Sequence, residues 1–116
     1  MKKPTALYMQ KTTMERLKNV SKSLNTTDTA ILNIAATIGY NEIGMEIKNN
    51  IKILHDFYRK REKSKIQQVF SIDSKIIDII NHLNMLSIVP KTCCMEYLVI
   101  AGLNIIEMQI IKDWRD

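Results

Sequence analysis

The amino-acid sequence predicts a mostly α-helical protein with one two-stranded antiparallel β-ribbon. Two segments of the chain match each other when one is moved along the sequence by a constant number of residues. This displacement aligns Gly39 with Gly102, and we call it the repeat shift. Each begins with a short alternating stretch that passes directly into a helical pattern, as in "VFSIDSKIIDII" at 69–80. Because a single strand leaves its backbone groups without partners, we expect the two copies to pair their strands and to pack four helices beneath them.

The internal repeat is clearest near the end of each unit. The segments "IGYNEIGMEI" (38–47) and "AGLNIIEMQI" (101–110) share five of ten residues without a gap. Upstream, apolar residues fall on apolar residues at the repeat shift, such as Met14 on Ile77. The units extend over about 3–47 and 66–110, and two copies of so long a period indicate a duplicated subunit rather than a solenoid.

The second unit carries the stronger pattern. The stretch "KIQQVFSI" is compatible with a strand that has Phe70 and Ile72 on one face. Asp73 or Ser74 can cap the helix that follows, because its side-chain oxygen can accept from a free backbone N–H. Pro90 ends that helix, since the residue before a proline disfavours helical geometry, and it suits the first turn of a second helix.

The first unit follows the same order with weaker signals. "TALYM" is a short strand, "TTMERLKNVSKSL" is a helix, and "NTTDT" (25–29) is a turn rich in capping residues. The inner positions of the two helices are apolar at helical spacing. They are Met14, Leu17, Val20 and Leu24 in the first helix, and Ile31, Leu32, Ala35 and Ile38 in the second.

The remaining segments connect and extend the two units. We expect one intertwined domain with a first unit at 1–42, a connecting amphipathic helix at 43–64, a second unit at 65–103 and a C-terminal helical tail at 104–116. Ile47, Ile51 and Leu54 share one face of the connector. About 18 helical residues span about 27 Å, enough to return the chain to the ribbon. Trp114 is expected to anchor the tail in the core or at an interface.

Charge favours an anionic partner. The net charge is +5, with +3 on residues 1–42, +4 on residues 43–66 and −2 on residues 67–116. The start "MKKPTALYMQ" lacks the apolar stretch of a signal peptide, and we expect no apolar run that approaches the roughly 18 residues of a membrane helix. These features predict a cytoplasmic protein without a membrane partner.

Residues that would indicate catalysis or a cofactor are sparse. His55 and His82 stand apart from other metal-ligand types, and the adjacent Cys93 and Cys94 indicate no disulfide framework. No Gly-rich phosphate loop, Ser–His–Asp arrangement or paired carboxylates can be assembled. We therefore predict that the chain is not an enzyme and has no metal, cofactor or small-molecule ligand.

The segments "FSIDSKIIDIINHL", "YMQKTTMERLKNV" and "NTTDTAIL" together resemble the ribbon–helix–helix family of Arc/MetJ type. The resemblance covers nearly the whole chain apart from the connector and tail. It implies two tandem ribbon–helix–helix units that form an intramolecular pseudo-dimer. A tandem, single-chain version is similar to the relaxosome accessory proteins of some conjugative plasmids. Such proteins bind double-stranded DNA by laying the ribbon in the major groove.

The resemblance also implies site residues. Outward strand positions face the bases and are Pro4, Ala6, Tyr8, Gln67, Val69 and Ser71. The start of each second helix grips a phosphate, at Thr27, Asp28 and Thr29 and at Pro90, Lys91 and Thr92, and flanking attraction comes from Lys2, Lys3, Lys63 and Lys65. The chain departs from the family pattern, because only Gln67 and Ser71 are typical base readers and Asp28 repels a phosphate.

Both second helices carry an additional apolar face, at Ile34 and Ile38 and at Tyr97 and Ala101. Two interpretations are open. Either the connector and tail helices cover this face, or it is a surface for self-association or a protein partner.

Three hypotheses follow. The first is a DNA-binding transcriptional regulator (a repressor) or a plasmid or phage accessory protein, which prefers an asymmetric site because its two copies differ in their outer residues. The second is a non-catalytic interaction module that reuses the fold, such as a small phage-encoded inhibitor of a host protein. The third is a plain helical bundle, in which the weak first strand does not form. DNA binding that weakens with salt separates the first from the second.

Overall fold

The computed structural model describes residues 2–115, and side chains for residues 2–113, so the prediction for the side chain of Trp114 lies outside the described residues. About 72% of the chain is helical, and one two-stranded sheet completes the fold. In chain order the elements are β1 (Lys2–Gln10), α1 (Lys11–Ser23), α2 (Asp28–Asn49), α3 (Lys52–Lys60), β2 (Lys65–Asp73), α4 (Ser74–Ser87) and α5 (Lys91–Arg115).

The two strands form an antiparallel ribbon over their whole length. Lys2 lies opposite Asp73 at one end, and Gln10 lies opposite Lys65 at the other. The central pair is Ala6 and Val69, two residues that are themselves related by the repeat shift. The pairing confirms the predicted ribbon of residues 5–9 with 67–72, and it excludes the plain helical bundle.

The inner face of the ribbon is part of the core. Leu7, Met9, Phe70 and Ile72 are buried, and the intervening outer residues are exposed. A slip of one residue in the pairing would turn this apolar set outward and bury the outer set. The core therefore fixes which side chains the ribbon presents to solvent.

Elements of the second half begin at a constant distance from those of the first. The starts of β1 and β2, of α1 and α4, and of α2 and α5 are each related by the repeat shift. Asp73 caps α4 by accepting a hydrogen bond from the Lys75 amide (3.2 Å), as predicted, and Thr27 caps α2 by accepting from the Ala30 amide (3.1 Å). At the start of α1, Gln10 stands where the second half has Asp73, and its side chain makes no cap.

Helices α2 and α5 cross so closely that their backbones touch. A Cβ on Gly39 would lie 1.9 Å from the carbonyl oxygen of Leu98, and one on Gly102 would lie 1.8 Å from that of Ala35. These two contacts are reciprocal, since the repeat shift places Ala35 on Leu98 and Gly39 on Gly102. Only glycine allows this approach, because every other residue carries a Cβ.

The connector differs from the prediction. The expected helix at 43–64 does not form as one unit, because α2 continues to Asn49, the chain turns at 50–51, and α3 is a separate helix. The expected tail at 104–116 is likewise the continuation of α5. Helices α2 and α5 both continue past their glycines because residues beyond those glycines still pack in the core. Ile47 in α2 and Leu103 in α5 are fully buried. Burial outweighs the low helix propensity of glycine.

One helix passes the length and composition test for a membrane span. Lys91–Asp113 in α5 has an 18-residue window with a mean hydropathy of 1.5, contrary to our expectation from the sequence. About 39% of that window is buried inside the protein, where Glu96 is fully enclosed. The buried residues of α5 pack mainly against α2, with further contacts to α1, α4 and β1.

Candidate nucleic-acid interface

The outer face of the ribbon presents six exposed side chains in three facing pairs. Ala6 and Val69 form the central pair, and Pro4–Ser71 and Tyr8–Gln67 flank it. Val69 is 62% exposed and Tyr8 is 47% exposed, although both are large for solvent-facing positions. All six predicted base-facing residues therefore lie on one surface, and we call this surface the outer face.

The ribbon is narrow enough for its outer face to enter a nucleic-acid groove. Residues 4–8 span about 13 Å at about 3.3 Å per residue, and the two strands lie about 4.8 Å apart. The major groove of B-DNA is about 12 Å wide and admits a two-stranded ribbon. Side chains that stand roughly perpendicular to such a ribbon point towards the base edges.

Positive charge lies at both ends of the outer face. Lys2 and Lys65 belong to the outward set of their strands and lie at opposite ends of the ribbon, and Lys3 and Lys63 are also exposed. The basic run "RKREKSK" contributes less than its composition suggests. Arg59 pairs with Asp56, and Arg61 is buried in the protein. The charge available to an anion is therefore concentrated on the lysines.

The start of α2 is partly occupied by its own carboxylate. Asp28 accepts a hydrogen bond from the Ser21 hydroxyl (2.5 Å) and lies 3.4 Å from the ammonium group of Lys18. Thr27 is exposed and uses its hydroxyl as the helix cap, and Thr29 is half-buried. A phosphate at this end would meet Asp28, so this half of the predicted phosphate grip is the weaker one.

The start of α5 lies directly against the ribbon. The Thr92 hydroxyl accepts from the Tyr8 amide (2.7 Å) and donates to the Tyr8 carbonyl (3.0 Å). The Thr92 side chain therefore already holds β1 in position. The sequence predicted a phosphate-binding role for Thr92 but not this contact with the strand. Pro90 and Lys91 are exposed in front of the helix, where the free N–H groups of the first turn favour an anion.

The two strand–helix junctions are held by different chemistry at equivalent positions. At the junction of β2 and α4, the side-chain amide of Asn33 donates to the backbone carbonyl of Ser71 (3.0 Å). The same side chain accepts from the backbone N–H of Asp73 (2.9 Å). Glu96 is the counterpart of Asn33 at the repeat shift, and it accepts from the amide of Gln10 (3.0 Å), the counterpart of Asp73. A carboxylate has no proton to donate to the Tyr8 carbonyl, which instead accepts from the Thr92 hydroxyl and from one further donor.

Arg61 supplies that donor from the connector. Its guanidinium donates to Glu96 (2.8 Å) and to the Tyr8 carbonyl, and the two charged side chains are 3% and 0% exposed. Gln10 and Thr13 complete the shell around the Glu96 carboxylate. The sequence analysis missed this cluster. The one available signal was the alignment of the two units, in which Glu96 of the second unit aligns with the uncharged Asn33 of the first.

The predicted apolar surface on the second helices is covered on one side only. The ring of Phe57 in α3 packs against Tyr97 with centroids 5.0 Å apart, and burial raises the pKa of Tyr97. On the other side Ile34 remains 48% exposed, whereas Ile38 and Ala101 are half-buried. The connector thus covers Tyr97, and the alternative of a contact surface stays open for Ile34.

The turn between α4 and α5 carries an exposed apolar residue in an unfavourable backbone conformation. Ile88 has a φ of 63° and is 87% exposed. Asn25, its counterpart in the first unit, has a φ of 52°. Asparagine tolerates the left-handed region, whereas a β-branched residue is a genuine outlier there.

Comparison of the chain with protein-family models, with curated protein sequences and with solved structures finds no match. Proposals about function therefore rest on the geometry described above and on the resemblance of the short sequence patterns.

Proposed function

We propose that the chain is a single-chain DNA-binding protein of ribbon–helix–helix type, acting as a transcriptional regulator or as an accessory protein of a plasmid or phage. The observation that carries the proposal is the register of the ribbon, which aligns six outer side chains over a buried inner face. A groove-reading ribbon needs this combination of a fixed backbone and free outward side chains. A cytoplasmic location is part of the same proposal.

An intramolecular pseudo-dimer accounts for the repeated geometry. The central strand pair, the two glycine contacts and the element starts are all related by the repeat shift. A two-fold contact between identical subunits has this reciprocal form, in which residue i meets j and j meets i. We infer that the chain arose as two fused copies of one subunit.

Phosphate and base contacts are divided between different residues. Lys2 and Lys65 lie at the ends of the outer face and Lys91 is exposed at the start of α5, and these lysines supply sequence-independent attraction to the phosphates. Gln67 and Ser71, which are exposed on β2, supply hydrogen bonds to base edges. The residues that occupy the corresponding positions on β1 are Pro4 and Tyr8, so the preferred DNA site is asymmetric rather than palindromic.

A titration of the protein against labelled random and genomic duplexes, at two salt concentrations, tests the proposal. We expect binding that weakens steeply with salt, and selection from random duplexes that enriches one sequence without two-fold symmetry. Absence of binding at low salt removes the proposal.

Matched variants locate the surface. Gln67→Ala is expected to relax sequence preference, with a loss of about 1–3 kcal/mol on the preferred site alone. Lys65→Ala and Lys91→Ala are expected to weaken binding to all sequences and to lower the salt slope by about 1 each. Lys112→Ala, an exposed lysine near the far end of α5, is the control and is expected to change neither. If Lys112→Ala weakens binding as much as Lys91→Ala, the ribbon is not the docking face.

A protein-interaction module is the second candidate. Exposed apolar residues favour it, with Val69 on the ribbon and Met85 and Ile88 near the turn before α5, at 62%, 78% and 87% exposure. A protein that shows no DNA binding at low salt but keeps its fold would support this function instead.

A further inference from the structure

The centre of the outer face is apolar. Ala6 and Val69 face each other there, and both side chains are exposed. In the major groove the base edges present hydrogen-bonding groups and one apolar group, the C5 methyl of thymine. A central pair without hydrogen-bonding side chains is therefore matched to a methyl group and mismatched to the polar edge of a G·C pair.

Geometry places this pair over neighbouring base pairs. Facing Cβ atoms in an antiparallel pair lie about 4.5–5.5 Å apart, and successive base pairs rise by about 3.4 Å. Ala6 and Val69 also mark the centre of the register, with the same number of paired positions on either side. Their contacts thus fall on the middle one or two base pairs of the site.

The flanking pairs give the site a direction. Gln67 lies on one side of the centre opposite Tyr8, and Ser71 lies on the other side opposite Pro4. Glutamine pairs with the N6 and N7 groups of adenine, whereas proline offers no side-chain hydrogen bond. The end that carries Gln67 and Tyr8 is the end with the stronger polar readout.

We infer that the ribbon recognises C5 methyl groups of pyrimidines at the centre of its DNA site, through Ala6 and Val69, with Gln67 reading an adenine to one side. The inference rests on the proposed DNA-binding function and names its ligand class, duplex DNA with C5-methylated pyrimidines at the centre. Thymine is the first source of such a methyl group, and 5-methylcytosine is the second.

Duplexes that differ by single methyl groups test the inference. The preferred site is taken from random-duplex selection, and each thymine is then replaced in turn by deoxyuridine, which keeps the base pair and removes the methyl. We expect a loss of about fourfold in affinity for each central thymine, the value of one buried methyl-sized group, and no change at outer thymines. A second arm places cytosine or 5-methylcytosine at the central positions.

Protein variants check that Val69 makes one of the methyl contacts. Val69→Ser is expected to bring the affinity ratio of thymine to deoxyuridine duplexes close to 1 at one central thymine, because it removes one apolar contact from an exposed position without touching the core. Ser71→Ala, on the same strand and face, is the control and should keep the ratio, whatever its effect on the affinity itself. Circular dichroism verifies that both variants fold.

The outcomes separate the two levels of the proposal. A loss of affinity with deoxyuridine identifies thymine as the source of the methyl group. A difference in affinity seen only between cytosine and 5-methylcytosine identifies methylated cytosine. Salt-dependent DNA binding that ignores the methyl in both arms, or a selected site with unmodified G·C pairs at its centre, overturns the inference but leaves the DNA-binding function. Absence of DNA binding overturns both.

Discussion

Replacing Gly39 by alanine is expected to destabilise the protein, although alanine is the better helix former. The new methyl would lie 1.9 Å from the Leu98 carbonyl oxygen, whereas ordinary contact begins at 3.4 Å. The helices α2 and α5 would have to separate by about 1.5 Å, the difference between these distances. Overpacking typically costs about 1–3 kcal/mol, and we take the upper end because the obstacle is backbone. A gain of about 1 kcal/mol in helix propensity leaves a net loss of about 2 kcal/mol.

Urea and thermal unfolding, followed by far-UV circular dichroism, measure this loss. About 2 kcal/mol corresponds to a fall in Tm of about 8 °C for a domain of this size. Gly102→Ala should lose a similar amount, since its methyl would lie 1.8 Å from the Ala35 carbonyl oxygen. Gly44→Ala is the matched control in the same helix. The three atoms nearest to its methyl would all belong to the Tyr40 ring, the closest at 2.8 Å, and a side chain can rotate away.

The comparison between the variants is decisive. We expect Gly44→Ala to leave Tm nearly unchanged or slightly raised. Equal Tm shifts for Gly39→Ala and Gly44→Ala would refute the reasoning, because the close approach of the two backbones would then not be what requires glycine.

Three further perturbations have expected signs. Ile88→Asn should raise the free energy of unfolding by about 1 kcal/mol in urea titrations, because asparagine tolerates the left-handed backbone, as Asn25 does; an unchanged midpoint would show that Ile88 is unstrained. Arg61→Met should lower the free energy of unfolding by about 3–5 kcal/mol, since it leaves the Glu96 carboxylate buried without a positive partner. Adding Glu96→Gln should recover part of that loss. Equal stability of the single and double variants would contradict this explanation. Burial raises the pKa of Cys93 from 9.0 to about 12, so the unfolded chain releases this proton first and stability should fall as pH rises above 9.0. Cys93→Ala should reduce that alkaline slope, and an unaltered slope would assign it to another group.

The ribbon was predictable because its signals are local and repeated. Alternation of Phe70 and Ile72 with polar residues, together with a matching stretch in the first unit, defines both the strands and their inner faces. The cap at Asp73 was predictable for the same reason, since capping depends on one residue and its neighbours. Of the site, the sequence located the six outer residues, and the structure places them on one surface.

Features that depend on contacts between residues distant in the chain could not be predicted from the sequence. We expected the first unit to end at 42, but α2 continues to Asn49, and Gly39 within it is required by the crossing with α5. Arg61 belongs to the basic segment 43–66, whose charge favoured an anionic partner, yet Arg61 pairs with Glu96, which lies 35 residues away in the chain. Composition cannot distinguish a buried arginine from an exposed one, because burial depends on which acceptors the fold brings near it.

On the proposed origin from two fused copies, the difference between Asn33 and Glu96 illustrates a freedom that a single chain has and a homodimer lacks. In a homodimer every substitution is made twice, so one change to glutamate would enclose two negative groups at once. A single chain contains one connector, and that connector delivers one guanidinium to one side of the molecule. The two sides of a single chain can thus change separately, and here the connecting segment supplies the guanidinium that one side needs and the other does not.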